Sequence, residues 1–85
     1  MSRQDVWKQF IEAVYTKGQQ ENRPVTAWEI GQELFGSDEQ VVRQSTINIA
    51  DECKAAGLLT VPIDYQEVYV TPEGMRFIGK SQGDA

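Results

Sequence analysis

The fold is decided by two stretches of sequence, AGLLT at residues 56–60 and VYVTPEG at residues 68–74. In the first stretch Gly57 ends a helix, and the residues at 59–61 have the β-branched and apolar character of a strand. The second stretch continues from a similar strand into a Thr-Pro pair, which favours a helix start because proline is tolerated at the first helical position. Residues 62–66 begin with proline and favour a turn. The sequence therefore predicts a helix end, a β-hairpin and a new helix.

Three helices are predicted before the hairpin. The first covers residues 3–17, where apolar side chains recur at helical spacing until a glycine follows. The second helix is short. Thr26 and Glu29 have the spacing of a capping box, which predicts that the helix starts there. The third covers about residues 38–56, and Cys53 lies in the middle of its inward stripe, which consists of Val42, Thr46, Ile49, Cys53 and Ala56.

Length and composition indicate one folded domain. The chain has 85 residues, of which 40% are hydrophobic. That length is near the size at which a single core is just sufficient, and the apolar content is too high for a disordered chain. We predict one mainly helical α+β domain over residues 1–79 and a polar, flexible tail over residues 80–85.

The composition argues against an enzyme or a metal site. There is no histidine, which removes the usual general base near neutral pH and the commonest metal ligand. Cys53 is the single cysteine, and no basic cluster surrounds it in the sequence, so we interpret it as a small core residue. The acidic pairs at 38–39 and 51–52 diverge around a helix and form no catalytic dyad. We expect no cofactor.

The same composition predicts a cytoplasmic protein that does not contact membranes. No apolar run approaches the ~20 residues that cross a bilayer, and the first residues lack the apolar region of a signal peptide. A lone cysteine fits a reducing compartment.

The order helix, helix, helix, strand, strand, helix resembles the winged helix-turn-helix family. The segment from Gly57 to Gly74 looks like the wing of MarR-like and PadR-like regulators, and the resemblance covers nearly the whole chain. It implies three helices, a two-stranded hairpin wing and a short C-terminal helix. It also implies a small transcriptional regulator whose third helix enters the major groove of DNA.

The resemblance identifies the binding residues as those opposite the inward stripe of the third helix. Arg43 could donate to guanine, Gln44 could pair with adenine, and Ile47 could pack on a thymine methyl group. The full set expected to face DNA or another partner is Gln40, Arg43, Gln44, Ile47, Asp51 and Lys54.

Charge argues against this interpretation. Eight basic residues against thirteen acidic ones give a net charge of −5, which opposes non-specific attraction to phosphate. The wing has no Lys or Arg between Gly57 and Met75, and Asp64 and Glu67 lie near its tip. Any phosphate contacts would have to come from the scattered cations Arg3, Lys8, Lys17, Arg23, Arg76 and Lys80.

The alternative is a protein-interaction module that does not bind DNA. Ile47 on the third helix and Tyr65 at the wing tip would be apolar anchors in a polar surround, as at protein interfaces. Part of the apolar arc of the first helix would add to them.

A homodimer through the first helix is a related prediction. Its apolar side chains sweep roughly 200°, whereas a helix that packs on one core needs little more than ~100°. Trp7, Ile11 and Tyr15 are the candidates for the dimer face, unless this helix is simply central to its own domain.

Overall fold

The structure, a computed structural model, describes residues 3–23, 25–36, 40–63 and 67–79. Within them the elements follow in the order α1 (Arg3–Glu21), α2 (Ala27–Phe35), α3 (Gln40–Ala55), β1 (Leu59–Ile63), β2 (Glu67–Val70) and α4 (Pro72–Phe77). The predicted α+β class is therefore confirmed, with four helices and a two-stranded antiparallel sheet. The predicted tail at 80–85, together with Asp64 and Tyr65, lies outside the described residues.

The N-terminus of α2 is fixed by the predicted capping box. The Thr26 hydroxyl accepts a hydrogen bond from the backbone N–H of Glu29 at 3.2 Å, and the Glu29 carboxylate accepts one from the backbone N–H of Thr26 at 2.8 Å. Two backbone donors that the helix leaves unpaired are thereby satisfied. At the other end Gly36 adopts φ +75°, a conformation that glycine adopts without steric cost.

The two deciding stretches meet where α3 ends and α4 begins. The Thr71 hydroxyl accepts from the backbone N–H of Gly74 at 3.0 Å and donates to the carbonyl of Gly57 at 2.7 Å. Thr71 also donates its backbone N–H to the carbonyl of Leu58 at 3.2 Å. One residue therefore caps α4 and joins it to the turn that follows α3.

Two predicted boundaries are wrong. α1 passes through Gly18 and ends at Glu21, because a glycine inside a helix costs only about 1 kcal/mol and the left-handed position falls instead on Asn22 at φ +51°. β1 continues through Pro62, which the sequence assigned to the turn. The strand pairing shifts register between Thr60 and Ile63, and such an irregularity accommodates a residue that has no N–H to donate.

The core joins all the elements. Its fully or nearly fully buried side chains come from α1, α2, α3, the hairpin and the segments beside them: Phe10, Ile11, Val14, Val25, Ala27, Ile30, Ile49, Ala50, Cys53, Leu58, Leu59, Val68 and Ile78. Val68 donates its backbone N–H to the carbonyl of Val25 at 2.8 Å, so the segment that leads into α2 is joined to β2. The assignment of Cys53 to the core is confirmed, whereas Ala56, expected to point inward, is exposed.

Gly31 of α2 packs directly against Thr46 of α3. A Cβ atom at this position would lie 2.1 Å from Oγ1 of Thr46, a fully buried side chain whose hydroxyl donates to the carbonyl of Val42 at 2.8 Å. Since Thr46 is held by that hydrogen bond and by core packing, it has no room to move aside. The contact between the two helices requires glycine.

We predict opposite effects for two helical Gly→Ala substitutions. Gly31→Ala should lower the free energy of unfolding by about 1 to 3 kcal/mol because it overpacks the contact with Thr46. Gly18→Ala should leave it unchanged or raise it by up to about 1 kcal/mol, because the new Cβ would lie 3.6 Å from the Val25 side chain and alanine favours the helix. Urea denaturation followed by circular dichroism measures both, and equal effects at the two positions would contradict the close approach.

Candidate nucleic-acid or partner interface on α3

α3 exposes a continuous strip of side chains opposite its buried face. The buried face consists of Thr46, Ile49, Ala50 and Cys53. At 100° per residue, the exposed side chains of the whole helix span about 160°, because the exposed Arg43 and Lys54 lie beside the others; the six directly opposite the buried face fall within an arc of about 100°. We call them the α3 strip: Gln40, Val41, Gln44, Asn48, Asp51 and Ala55.

Uncharged amides dominate the strip. Gln40, Gln44 and Asn48 follow one another at intervals of four residues, so they lie on one line along the helix. Gln44 donates from Nε2 to Oδ1 of Asn48 at 3.1 Å. Such a face offers both hydrogen-bond donors and acceptors, and Asp51 supplies its only carboxylate.

The structure places the predicted binding residues in two groups. Gln40, Gln44 and Asp51 lie on the strip, whereas Arg43, Ile47 and Lys54 lie on its flank. Ile47 is half-buried there. The guanidinium of Arg43 lies over the indole ring of Trp28 in α2, 5.7 Å from the ring centroid, which is a cation–π arrangement. Tyr65 lies outside the described residues.

Sequence reasoning missed Val41 and Asn48. The predicted inward stripe included Ala56 and left out Ala50. Because the structure buries Ala50 and exposes Ala56, the exposed face of α3 is rotated by about 30° about the helix axis, towards Asn48, relative to the predicted one. The repeat of amide side chains at residues 40, 44 and 48 could have predicted that these three residues lie along one side of the helix. The Val41 side chain is 75% exposed, and the spacing of apolar residues in the sequence does not predict this exposure.

The opposite flank of α3 is fixed to α1 by Glu52. Its carboxylate accepts from Nε of Arg3 at 2.6 Å and from Nε1 of Trp7 at 2.8 Å. The hydrogen bonds from Arg3 and then from Trp7 lower the pKa of Glu52. This carboxylate therefore holds α1 against α3, and Arg3 balances its charge.

Several predicted phosphate ligands pair with carboxylates of the same chain. Lys17 lies 3.3 Å from a carboxylate oxygen of Glu21 and 3.4 Å from one of Glu33. Arg23 donates to Glu29 at 2.7 Å and also pairs with Glu21. In the same way Arg3 pairs with Glu52, and Arg76 pairs with Glu73.

The three residues of the predicted dimer face do not form one exposed surface. Ile11 is fully buried in the core, so its assignment to a dimer face is wrong. The Trp7 indole is half-buried against α3 through its hydrogen bond to Glu52. Tyr15 instead lines an open groove of about 370 Å³ between α1 and β2, whose walls include Val68, Tyr69 and Met75.

The described ranges contain no group of three His, Cys, Asp or Glu side chains placed to hold a metal ion. In those same ranges no helix has the length and apolar character that crossing a membrane requires.

Comparisons of the chain with protein-family models, with curated proteins and with solved structures found no match. The functional argument therefore depends on the residues of α3 and their surroundings.

We predict a pH-dependent contribution from Glu29, the acid of the capping box. The Arg23 guanidinium, followed by the hydrogen bonds from Thr26, lowers the pKa of Glu29 from 4.5 to about 2. Because the pKa is lower in the folded state, this carboxylate stabilises the fold above about pH 4.5, and the contribution is lost as the pH falls towards 2. Glu29→Gln should therefore cost about 1 kcal/mol near neutral pH and almost nothing near the lower pKa.

Urea denaturation of the wild type and of Glu29→Gln across this pH range measures the difference. Glu33→Gln is the matched control, because the Glu33 carboxylate is exposed and pairs only with Lys17 among the described residues. A Glu29→Gln cost that does not change with pH would contradict the charged interaction with Arg23.

Proposed function

We propose that the protein is a winged-helix DNA-binding protein that regulates transcription, with α3 entering the major groove. The order of the elements supports this proposal, because α2 and α3 form a close helix pair that is followed directly by a hairpin. The bridge between Val25 and Val68 supports it as well, since it joins the start of α2 to the hairpin that would serve as the wing.

The observation that carries the proposal is the α3 strip. A helix that reads DNA needs exposed side chains that hydrogen bond with base edges, and its N-terminal residues come closest to the bases. Gln40 and Gln44 occupy the first two turns of α3 and are exposed. Their amides have both the donor and the acceptor that a base edge requires.

Phosphate contacts are assigned to the flank of the strip. Lys54 lies in the last turn of α3 and Arg43 near its start, so the two cations are about 16 Å apart along the helix at 1.5 Å per residue. With few cations available, binding should be weak and should depend on salt.

We predict that Lys54→Ala weakens binding to mixed-sequence duplex DNA and lowers the slope of log K against log salt by about one, as for one lost phosphate contact. Lys54→Arg keeps the charge at the same position and is the matched control; it should leave the slope unchanged. Fluorescence anisotropy of a labelled duplex over a range of salt concentrations measures both. Equal effects of the two variants, or no binding by the wild type at low salt, would contradict the proposal.

A protein-interaction module is the second candidate. Val41 favours it, because an aliphatic side chain that is 75% exposed in the first turn of α3 suits an apolar contact. The pairing of Lys17, Arg23 and Arg76 with their own carboxylates also reduces the positive charge available to DNA. The simplest partner for such a surface is a second copy of the chain.

If a homodimer forms, sedimentation equilibrium should give twice the 9.6 kDa mass of the chain. We expect Tyr15→Asp to restore the monomer mass if the groove beside β2 is the interface, and Val41→Asp to restore it if the α3 strip is. Both substitutions are at exposed or half-buried positions and should leave the circular dichroism spectrum unchanged. A wild-type mass of 9.6 kDa at high concentration would show that the homodimer prediction is wrong.

A further inference from the structure

We propose that the α3 strip prefers A·T over G·C base pairs, because Gln44 reads adenine with its amide held in place by Asn48. This inference depends on the proposed DNA-binding function and specifies the bases that the same surface recognises.

The Gln44–Asn48 hydrogen bond leaves Gln44 with the groups that adenine requires. In the major groove adenine presents N7, an acceptor, and the N6 amino group, a donor. An amide side chain has two N–H donors and an oxygen acceptor. One N–H of Gln44 is used by Asn48 at 3.1 Å. The other N–H and Oε1 can bond to N7 and N6 together.

Asn48 acts in this arrangement as a positioning residue. A glutamine side chain normally loses up to about 2 kcal/mol of rotamer entropy when it is ordered. The hydrogen bond to Asn48, one helical turn further on, orders the amide before any DNA is bound. Less entropy is then lost on binding, which is the usual benefit of preorganisation.

The neighbours of Gln44 have chemistry that suits the same base pairs. Gln40 is the preceding amide on the line, about 6 Å away along the helix axis at 1.5 Å per residue. Because successive bases of one strand are about 3.4 Å apart, the two amides would reach bases about two steps apart. Val41 is the large apolar side chain that α3 exposes, and it can contact the thymine methyl group.

The α3 strip itself contains no Arg or Lys, and the exposed Arg43, which the sequence analysis matched to guanine, lies on its flank. Guanine is read mainly by Arg or Lys, which bind O6 and N7. The two cations of α3 are Arg43, whose guanidinium lies over the Trp28 ring, and Lys54, in the last turn. Asp51 could accept from cytosine, but it lies almost two turns beyond Gln44, and such helices read bases with their N-terminal residues.

The test compares three short duplexes of matched sequence that differ in a central run of A·T, G·C or inosine·C pairs. Inosine·C has the major-groove groups of G·C but lacks the minor-groove amino group of guanine. Binding is measured by fluorescence anisotropy at low salt. We expect the wild type to bind the A·T duplex about tenfold more tightly than either of the others. Inosine·C should therefore behave like G·C.

Four variants assign the preference to residues. Gln44→Ala should abolish the preference and keep the weak binding common to all duplexes. Asn48→Ala should reduce the preference, and Asn48→Asp should keep it, because aspartate retains the acceptor for Nε2 of Gln44. Gln20→Ala removes an exposed amide from α1 and is the matched control with no expected change. Circular dichroism of each variant shows whether the fold is intact.

The outcomes separate this inference from the function on which it depends. Equal binding of the three duplexes, or a preference that survives Gln44→Ala, would overturn the inference and leave DNA binding standing. A wild type that binds inosine·C as tightly as A·T would place the preference in the minor groove and would also overturn it. No binding to any duplex at low salt would overturn both.

Discussion

The exposed surface of α3 depends on how this helix packs against α2, and the packing distance is set where Gly31 meets Thr46. A Cβ atom at residue 31 would overlap the Thr46 side chain, and the Thr46 hydroxyl is satisfied within its own helix by the Val42 carbonyl. A threonine held in this way is a rigid contact surface. The contact between Gly31 and Thr46 therefore fixes the rotation of α3 about its axis, and this rotation determines which side chains of α3 are exposed to solvent.

The residues that start and end helices predicted most of the fold. The Thr26–Glu29 capping box, the helix end near Gly57 and the Thr71-Pro72 helix start are local signals that depend on residues only a few positions apart, and the structure contains all three. The predictions that were wrong needed tertiary information. Whether α3 buries Ala50 or Ala56 depends on the position of α2, which a helical wheel does not contain. The burial of Ile11 likewise depends on how many elements surround α1.

The ion pairs explain how an acidic chain can present a nearly uncharged face. Glu52 is used to hold Arg3 and Trp7, and Glu29 and Glu21 are used to hold Arg23. These interactions place much of the opposite charge side by side, where it cancels at short range. What α3 offers beyond its charged flanks is a line of amides, a surface whose selectivity comes from hydrogen-bond geometry. The net charge of −5 therefore describes the whole chain better than it describes this helix.

The burial of Cys53 has a practical consequence. The thiol lies inside the core beneath α3, and burial raises its pKa to about 12, so almost none of it is the reactive thiolate near neutral pH. A thiol reagent can reach it only when the core around it opens. Because Cys53 is the single cysteine of the chain, the rate of its alkylation would report how often the core beneath α3 opens. The protein thus carries an internal kinetic probe of the core beneath the helix that its proposed function requires.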